Sequence, residues 1–167
     1  MMHGDAAGAL DLREYLDRAG VDAEIIDLGV PMTTARAAAE QLGVSVGQIF
    51  KSLVLRDKKG EVLVVIAPGD RRIDLKAVSR VTGCKELSFA KPDLALRETG
   101  YPTGGTPPIG YPKPLRVVLD ETALAYEESY CGGGRPELLL RIRTDELQRV
   151  SGAVTASVSS SRGKDSS

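Results

Sequence analysis

The sequence predicts a mixed α/β fold in which helices and strands share one core, and three features lead to it. Segments with apolar residues at helical spacing alternate along the chain with short runs rich in Val, Ile and Leu. The run VLVVIA, residues 62–67, is apolar throughout, the pattern of a strand buried on both faces. A chain of 167 residues that is 42% hydrophobic and 27% charged can bury one sizeable core without a second domain.

Taken in order, residues 10–20 place Leu12, Tyr15, Leu16 and Ala19 on one helical face and stop at Gly20. VDAEIIDLG follows as a short strand. Residues 32–43, MTTARAAAEQLG, read as a helix capped by Thr33 or Thr34 and ended by Gly43, with Ala35, Ala38, Ala39 and Leu42 as a small-residue face. Such a face lets the helix lie close to its neighbour. QIFKSLVLRD, residues 48–57, then sets Lys51 at the mouth of an apolar strand over 52–55, and the charged turn 56–60 leads into a second strand within 61–70. IDLKAVSRVTG is a helix capped by Asp74 and stopped by Gly83, and KELSF is a strand. Pro92 opens a helix through Leu94 and Leu96 that runs out at Thr99 and Gly100.

Residues 99–114, TGYPTGGTPPIGYPKP, are too rich in glycine and proline for a regular element and too long for an ordinary connector. They form a shaped loop able to bring main-chain N–H groups to a carbonyl or phosphate oxygen. LRVVL is a strand, and ESYCGGGRPELLLRI gives two strands around Gly132, Gly133 and Gly134, joined by a tight turn rather than packed closely on another segment. TDELQRVSG is a short last helix with Thr144 as its cap. From Thr155 the chain is Ser-rich without apolar periodicity, so residues 1–154 are expected to be the folded domain and 155–167 a disordered tail.

Charge is unevenly spread. Residues 1–50 carry three basic and eight acidic side chains, whereas residues 51–97 carry eleven basic and six acidic, which suits a polyanionic partner. No stretch approaches the roughly 18 apolar residues of a membrane span, and the first residues lack a leader pattern, so a soluble, cytoplasmic protein without membrane contact is expected. Two cysteines, Cys84 and Cys131, and one histidine, His3, are too few for a structural zinc site or a Ser-His or Cys-His relay. Phosphate-loop and dinucleotide fingerprints are missing. An enzyme built on this chain works with a cationic lysine, loop N–H groups and groups of the substrate itself, without metal or cofactor.

The succession FKSLVL, APGDRRIDL, TGYPTGGTPPIG and strand-GGG-strand resembles the YbaK family, which is similar to the editing domain inserted in bacterial prolyl-tRNA synthetases. The resemblance covers about residues 10–154. It implies a curved mixed sheet or barrel of about six or more strands surrounded by helices. It also implies a trans-acting deacylase that hydrolyses the ester of a mischarged aminoacyl-tRNA, commonly tRNA(Pro) carrying a small non-cognate amino acid. Lys51 of the K-[ST]-L-V run and Gly105 of the G-x-x-P-x-G loop inherit the catalytic roles, one anchoring the aminoacyl-adenosine end and the other orienting the carbonyl. Thr34, Phe50, Ser52, Gly104, Thr106, Pro108, Gly110 and Gly132 are the implied substrate-binding residues. The implied partners are aminoacyl-tRNA and an aminoacyl-tRNA synthetase, and the protein itself is a monomer or a homodimer. Gly132 stands where the cysteinyl-tRNA-specific branch has serine, and Thr33 and Thr34 replace that branch's longer approach. Alanine, serine, threonine or another small residue therefore stays open as the amino acid removed. A non-catalytic module holding the aminoacyl end of tRNA, and a general polyanion or nucleotide binder, are the alternatives.

Overall fold

The computed structural model describes residues 9–161. The helices are α1 (Ala9–Ala19), α2 (Ala35–Leu42), α3 (Leu75–Thr82), α4 (Pro92–Thr99) and α5 (Thr144–Ser151). The strands are β1 (Ala23–Asp27), β2 (Phe50–Arg56), β3 (Val62–Pro68), β4 (Arg71–Ile73), β5 (Ser88–Phe89), β6 (Arg116–Asp120), β7 (Glu128–Gly132), β8 (Leu138–Arg143), β9 (Val154–Ala156) and β10 (Ser159–Ser161). The fold is mixed α/β, as the sequence predicts, and its strands divide among three sheets.

The main sheet runs β5-β2-β3-β6-β9, with β5, β2 and β3 antiparallel and β3, β6 and β9 parallel. Every residue of β3 is buried, which is what its unbroken apolar run requires. One face of this sheet presents Phe50, Val64, Ile66 and Leu119 to α1, to Tyr101 and Ile109 of the long loop, and to Leu140 and Ile142 of the second, antiparallel sheet β1-β8-β7. The other face presents Leu55, Leu63, Val65 and Val118 to Ala77 and Val78 of α3. The small face of α2 buries Ala38 and Ala39 against Ile49 and Leu139, so this helix lies close over the start of β2.

Local chemistry sets the helix ends. Thr34, not Thr33, caps α2, its Oγ1 accepting from the N–H of Ala37 at 3.0 Å, and Gly43 follows the helix at φ 73°. Asp74 accepts from the N–H groups of Lys76 and Ala77 at the start of α3.

Four expectations are corrected. Lys51 lies inside β2 rather than ahead of it, because the ladder with β3 begins at Phe50, opposite Pro68. The KELSF strand shrinks to Ser88 and Phe89, which pair only with Leu55 and Arg56. Thr144 is the first residue of α5 and not its cap, and its hydroxyl is buried without a hydrogen-bond partner among the described residues. The Ser-rich segment does not become irregular at Thr155: β9 pairs with β6, β10 pairs with β4, and Val158 between them is fully buried. A single fully buried apolar anchor and ladders with two distant strands hold this segment, and none of these leaves a periodic trace in sequence. Residues 162–167 of the expected tail lie outside the described residues.

Candidate functional site

Between the bridge of Ile49 to Tyr130 of β7 and the short β5, the Lys51–Leu53 part of the β2 edge has no strand paired to it on the side away from β3. A cleft of about 320 Å³ opens along it, walled by the N-terminal end of α2, the loop around Gly104, and Gly132 and Leu139 of the second sheet. The N–H of Ala90 donates to the carbonyl of Val54 at 2.9 Å, so Val54 directs its main-chain groups away from β3. By strand alternation Ser52 directs its own groups to the same edge. The hydroxyl of Ser52 is buried and has no hydrogen-bond partner among the described residues. A buried hydroxyl left this way is costly.

Lys51 is half-buried and lines the cleft, and its Nζ donates to the carbonyl of Arg71 at 2.7 Å. The β3–β4 turn can come so near because residue 69 is glycine: a Cβ there would stand 2.6 Å from Ala35 Cβ and 2.9 Å from the carbonyl oxygen of Ile49. Phe50 packs edge-on against Tyr126, with ring centroids 6.2 Å apart. Burial, reinforced by the Asp70 carboxylate against the opposing pull of Arg71, holds the Tyr126 hydroxyl above its ordinary range, so it is neutral.

Of the residues singled out by sequence, Lys51, Thr34, Phe50, Ser52, Gly104, Thr106 and Gly132 line this one cleft. Gly105, Pro108 and Gly110 do not. Gly105 is a packing junction: its N–H donates to Pro102 at 3.0 Å, its carbonyl accepts from Gly134 at 2.7 Å, and a Cβ would lie 2.6 Å from the Arg135 main chain. Pro108 and Gly110 line a second depression beside Tyr15 and Tyr111, where Tyr101 donates to the Gly110 carbonyl at 2.9 Å. The triple glycine does two jobs. Gly133 and Gly134 turn the chain, and Gly132 is packed closely, with a Cβ there 2.1 Å from the Thr106 carbonyl oxygen.

Sequence reasoning did not find Met32, Leu53, Phe89, Pro136 and Leu139 of the cleft wall, nor Arg71 as the acceptor for Lys51. All are apolar or main-chain contributions with no motif to mark them. The basic residues of 51–97 do not share one face: Lys51 and Arg71 sit at one end of the β2–β3 hairpin, Arg56, Lys58 and Lys59 at the other, about 20 Å away at 3.3 Å per residue. At that far end the ligand atoms of Asp57, Glu61 and Cys84 lie within 4.8 Å of one another, but Arg116 Nη1 lies 3.4 Å from Glu61 and 3.6 Å from Cys84 Sγ, a cation already in place.

The family model of the aminoacyl-tRNA editing domain matches residues 30–150. The chain belongs to that family. Every residue named in the cleft falls within the matched span, whereas β9 and β10 lie beyond it. Among relatives of this editing domain, a protein of Enterococcus faecalis named as a Cys-tRNA(Pro)/Cys-tRNA(Cys) deacylase, EbsC, is 30% identical over 125 residues, 70% of this chain and 76% of the relative. The proline–tRNA ligase of Ralstonia nicotianae is 32% identical over 105 residues, which are 60% of this chain but 18% of the ligase. A crystal structure described as a trans-editing enzyme for prolyl-tRNA synthetase superposes with a TM-score of 0.85 at 35% identity, covering 91% of this chain and 96% of the other. Among the described residues no helix is long and apolar enough to cross a membrane.

Proposed function

We propose that this aminoacyl-tRNA deacylase acts on tRNA(Pro) carrying a small non-cognate amino acid, with the ester seated at the β2 edge and its adenosine end anchored by Lys51. The observation that carries the reading is that Lys51, Ser52 and an unpaired stretch of main-chain edge line one cleft. A volume near 320 Å³ is at the small end of ligand sites, suited to an aminoacyl group with part of its nucleoside.

In the reaction, water adds to the ester carbonyl and the C–O bond to the ribose breaks. The products are the amino acid as its carboxylate, the ribose hydroxyl and one proton released to solvent. An aminoacyl ester is already activated, and the neighbouring ribose hydroxyl can hold the water, so no protein base is needed. The negative charge that gathers on the carbonyl oxygen needs fixed donors, each worth about 3 kcal/mol or a hundredfold in rate. That role falls to the Gly104 and Thr106 stretch of the loop, since the Gly105 N–H is already given to Pro102. The apolar wall sets the size of the amino acid, a discrimination of about 1–3 kcal/mol per methylene.

The test is a deacylation time course on tRNA(Pro) charged with proline, alanine, serine, threonine or cysteine, with wild type and Lys51→Ala. Release of one small non-cognate amino acid, slowed at least about a hundredfold by Lys51→Ala at an unchanged melting temperature, is expected. If every tRNA binds but stays charged, the chain is a non-catalytic module, and full activity of Lys51→Ala removes the lysine from the mechanism.

A further inference from the structure

The Lys51 ammonium ends a flexible four-carbon stem, so a fixed position must be imposed on it. The Arg71 carbonyl that accepts from it belongs to β4, and the ladder partner of β4 is β10. Arg71 also reaches across that ladder with its side chain: Nε donates to Ser159 Oγ at 2.9 Å and Nη2 to the Ser159 carbonyl at 3.3 Å. One residue earlier, Val158 is fully buried in the cluster of Leu55, Leu63, Val65 and Val78. Its N–H donates to Asp120 Oδ1 at 3.0 Å and its carbonyl accepts from the N–H of Asp74 at 2.8 Å. Asp120 is 1% exposed, and its other oxygen accepts from the N–H of Thr122.

We propose that the C-terminal arm, residues 154–161, holds the Lys51 ammonium in place beside the cleft, Val158 being its anchor and Arg71 and Ser159 its positioning residues. The arm lies outside the matched 30–150 span, so this support comes from beyond the part of the chain that defines the family. That the position matters for hydrolysis rests on the reading of Lys51 given above.

The experiment compares the full chain with a variant lacking residues 159–167, which keeps Val158 and its bond to Asp120, and with Arg71→Met, which keeps the carbonyl and the ladder but removes the guanidinium. The Lys51 Nζ resonance in ¹⁵N-labelled protein, assigned by its loss in Lys51→Arg, reports the ammonium directly. Deacylation of alanyl-tRNA(Pro), or of whichever charged tRNA(Pro) the panel shows to be hydrolysed, reports kcat and KM. The deletion should shift or broaden the Lys51 signal and lower kcat at least about tenfold with KM changed less, and Arg71→Met should act in the same direction more weakly. An unchanged Lys51 signal in both variants overturns the proposal. So does a wild-type kcat in the deletion when Lys51→Ala is inactive. Should the deletion fail to fold, the Arg71→Met signal alone decides. A displaced signal with a fully active Lys51→Ala upholds the arm's hold on the lysine and sinks the functional reading instead.

Discussion

Gly132→Ala tests whether the strand and the loop that wall the cleft are packed main chain to main chain. An added methyl would stand 2.1 Å from the Thr106 carbonyl oxygen, 2.7 Å from its carbon and 3.1 Å from the Gly105 carbonyl carbon. Close carbon–oxygen contacts run near 3.3–3.6 Å, so strand and loop must part by roughly 1.2 Å. Neither atom belongs to a side chain that can rotate away. Overpacking of this kind costs about 1–3 kcal/mol, or about 2–12 °C in melting temperature for a domain of this size. Because Gly104 and Thr106 move with the loop, a shift of about 1 Å should also lower deacylation by about a hundredfold. Thermal melts and single-turnover deacylation read the two effects separately. Gly152→Ala serves as a control, since its φ of 64° is strained for alanine but its Cβ meets nothing within 4 Å. It should lower the melting temperature and leave the rate alone. A Gly132→Ala protein that melts within 1 °C of wild type and hydrolyses at the same rate would refute the packing argument.

Thr34→Ala should cost about 1 kcal/mol by removing the acceptor for the Ala37 N–H, and Thr34→Ser should restore it; equal melts for all three proteins would count against the cap. Gly105→Ala should destabilise by about 1–3 kcal/mol through its collision with the Arg135 main chain, and an unchanged melt would show that junction to be loose. Arg149, then the N–H of Asp22, holds the Glu146 carboxyl down from 4.5 to about 2. A folded-state value below the unfolded one means the stabilisation is present above pH 4.5 and lost as pH falls toward 2, so Glu146→Gln should flatten the acid limb of the stability profile in that window. An identical limb in wild type and variant argues against it. Burial pushes the Cys131 thiol up to about 12, so in native protein at pH 8 it should ignore a thiol-disulfide reagent that modifies it once unfolded. Prompt reaction of native Cys131 would contradict the buried position.

What was legible in the sequence was chemistry that acts locally. Asp74 and Gly83 bracket α3, Thr34 and Gly43 bracket α2, and the apolar run of β3 announces burial on both faces, all within a few residues of the signal. Lys51 stood out for the same reason, one charge in an apolar strand. Where long-range partners decide, the text of the chain was silent. Val158 is a lone apolar residue among serines, and only the apolar cluster beneath α3 and the strand β4 make it an anchor. The loop glycines divide on the same principle: Gly104 lines the cleft and Gly105, one residue on, is spent on Pro102, Gly134 and Arg135, a difference fixed by the second sheet.

The uncovered edge of β2 explains how a site without histidine can be built here, His3 lying outside the described residues. An open strand edge is a liability that proteins normally cover with another strand, a helix or a loop. Here β5 covers Leu55 and Arg56 only, and α2 and the Gly104 loop stand off from the remainder to leave the cleft. Pairing by β5 carried on toward Ser52 would close the space. The short strand is thus what leaves polar main chain open to one small volume that Lys51 and Ser52 line. Fixed dipoles of this kind need no reorganisation when charge develops.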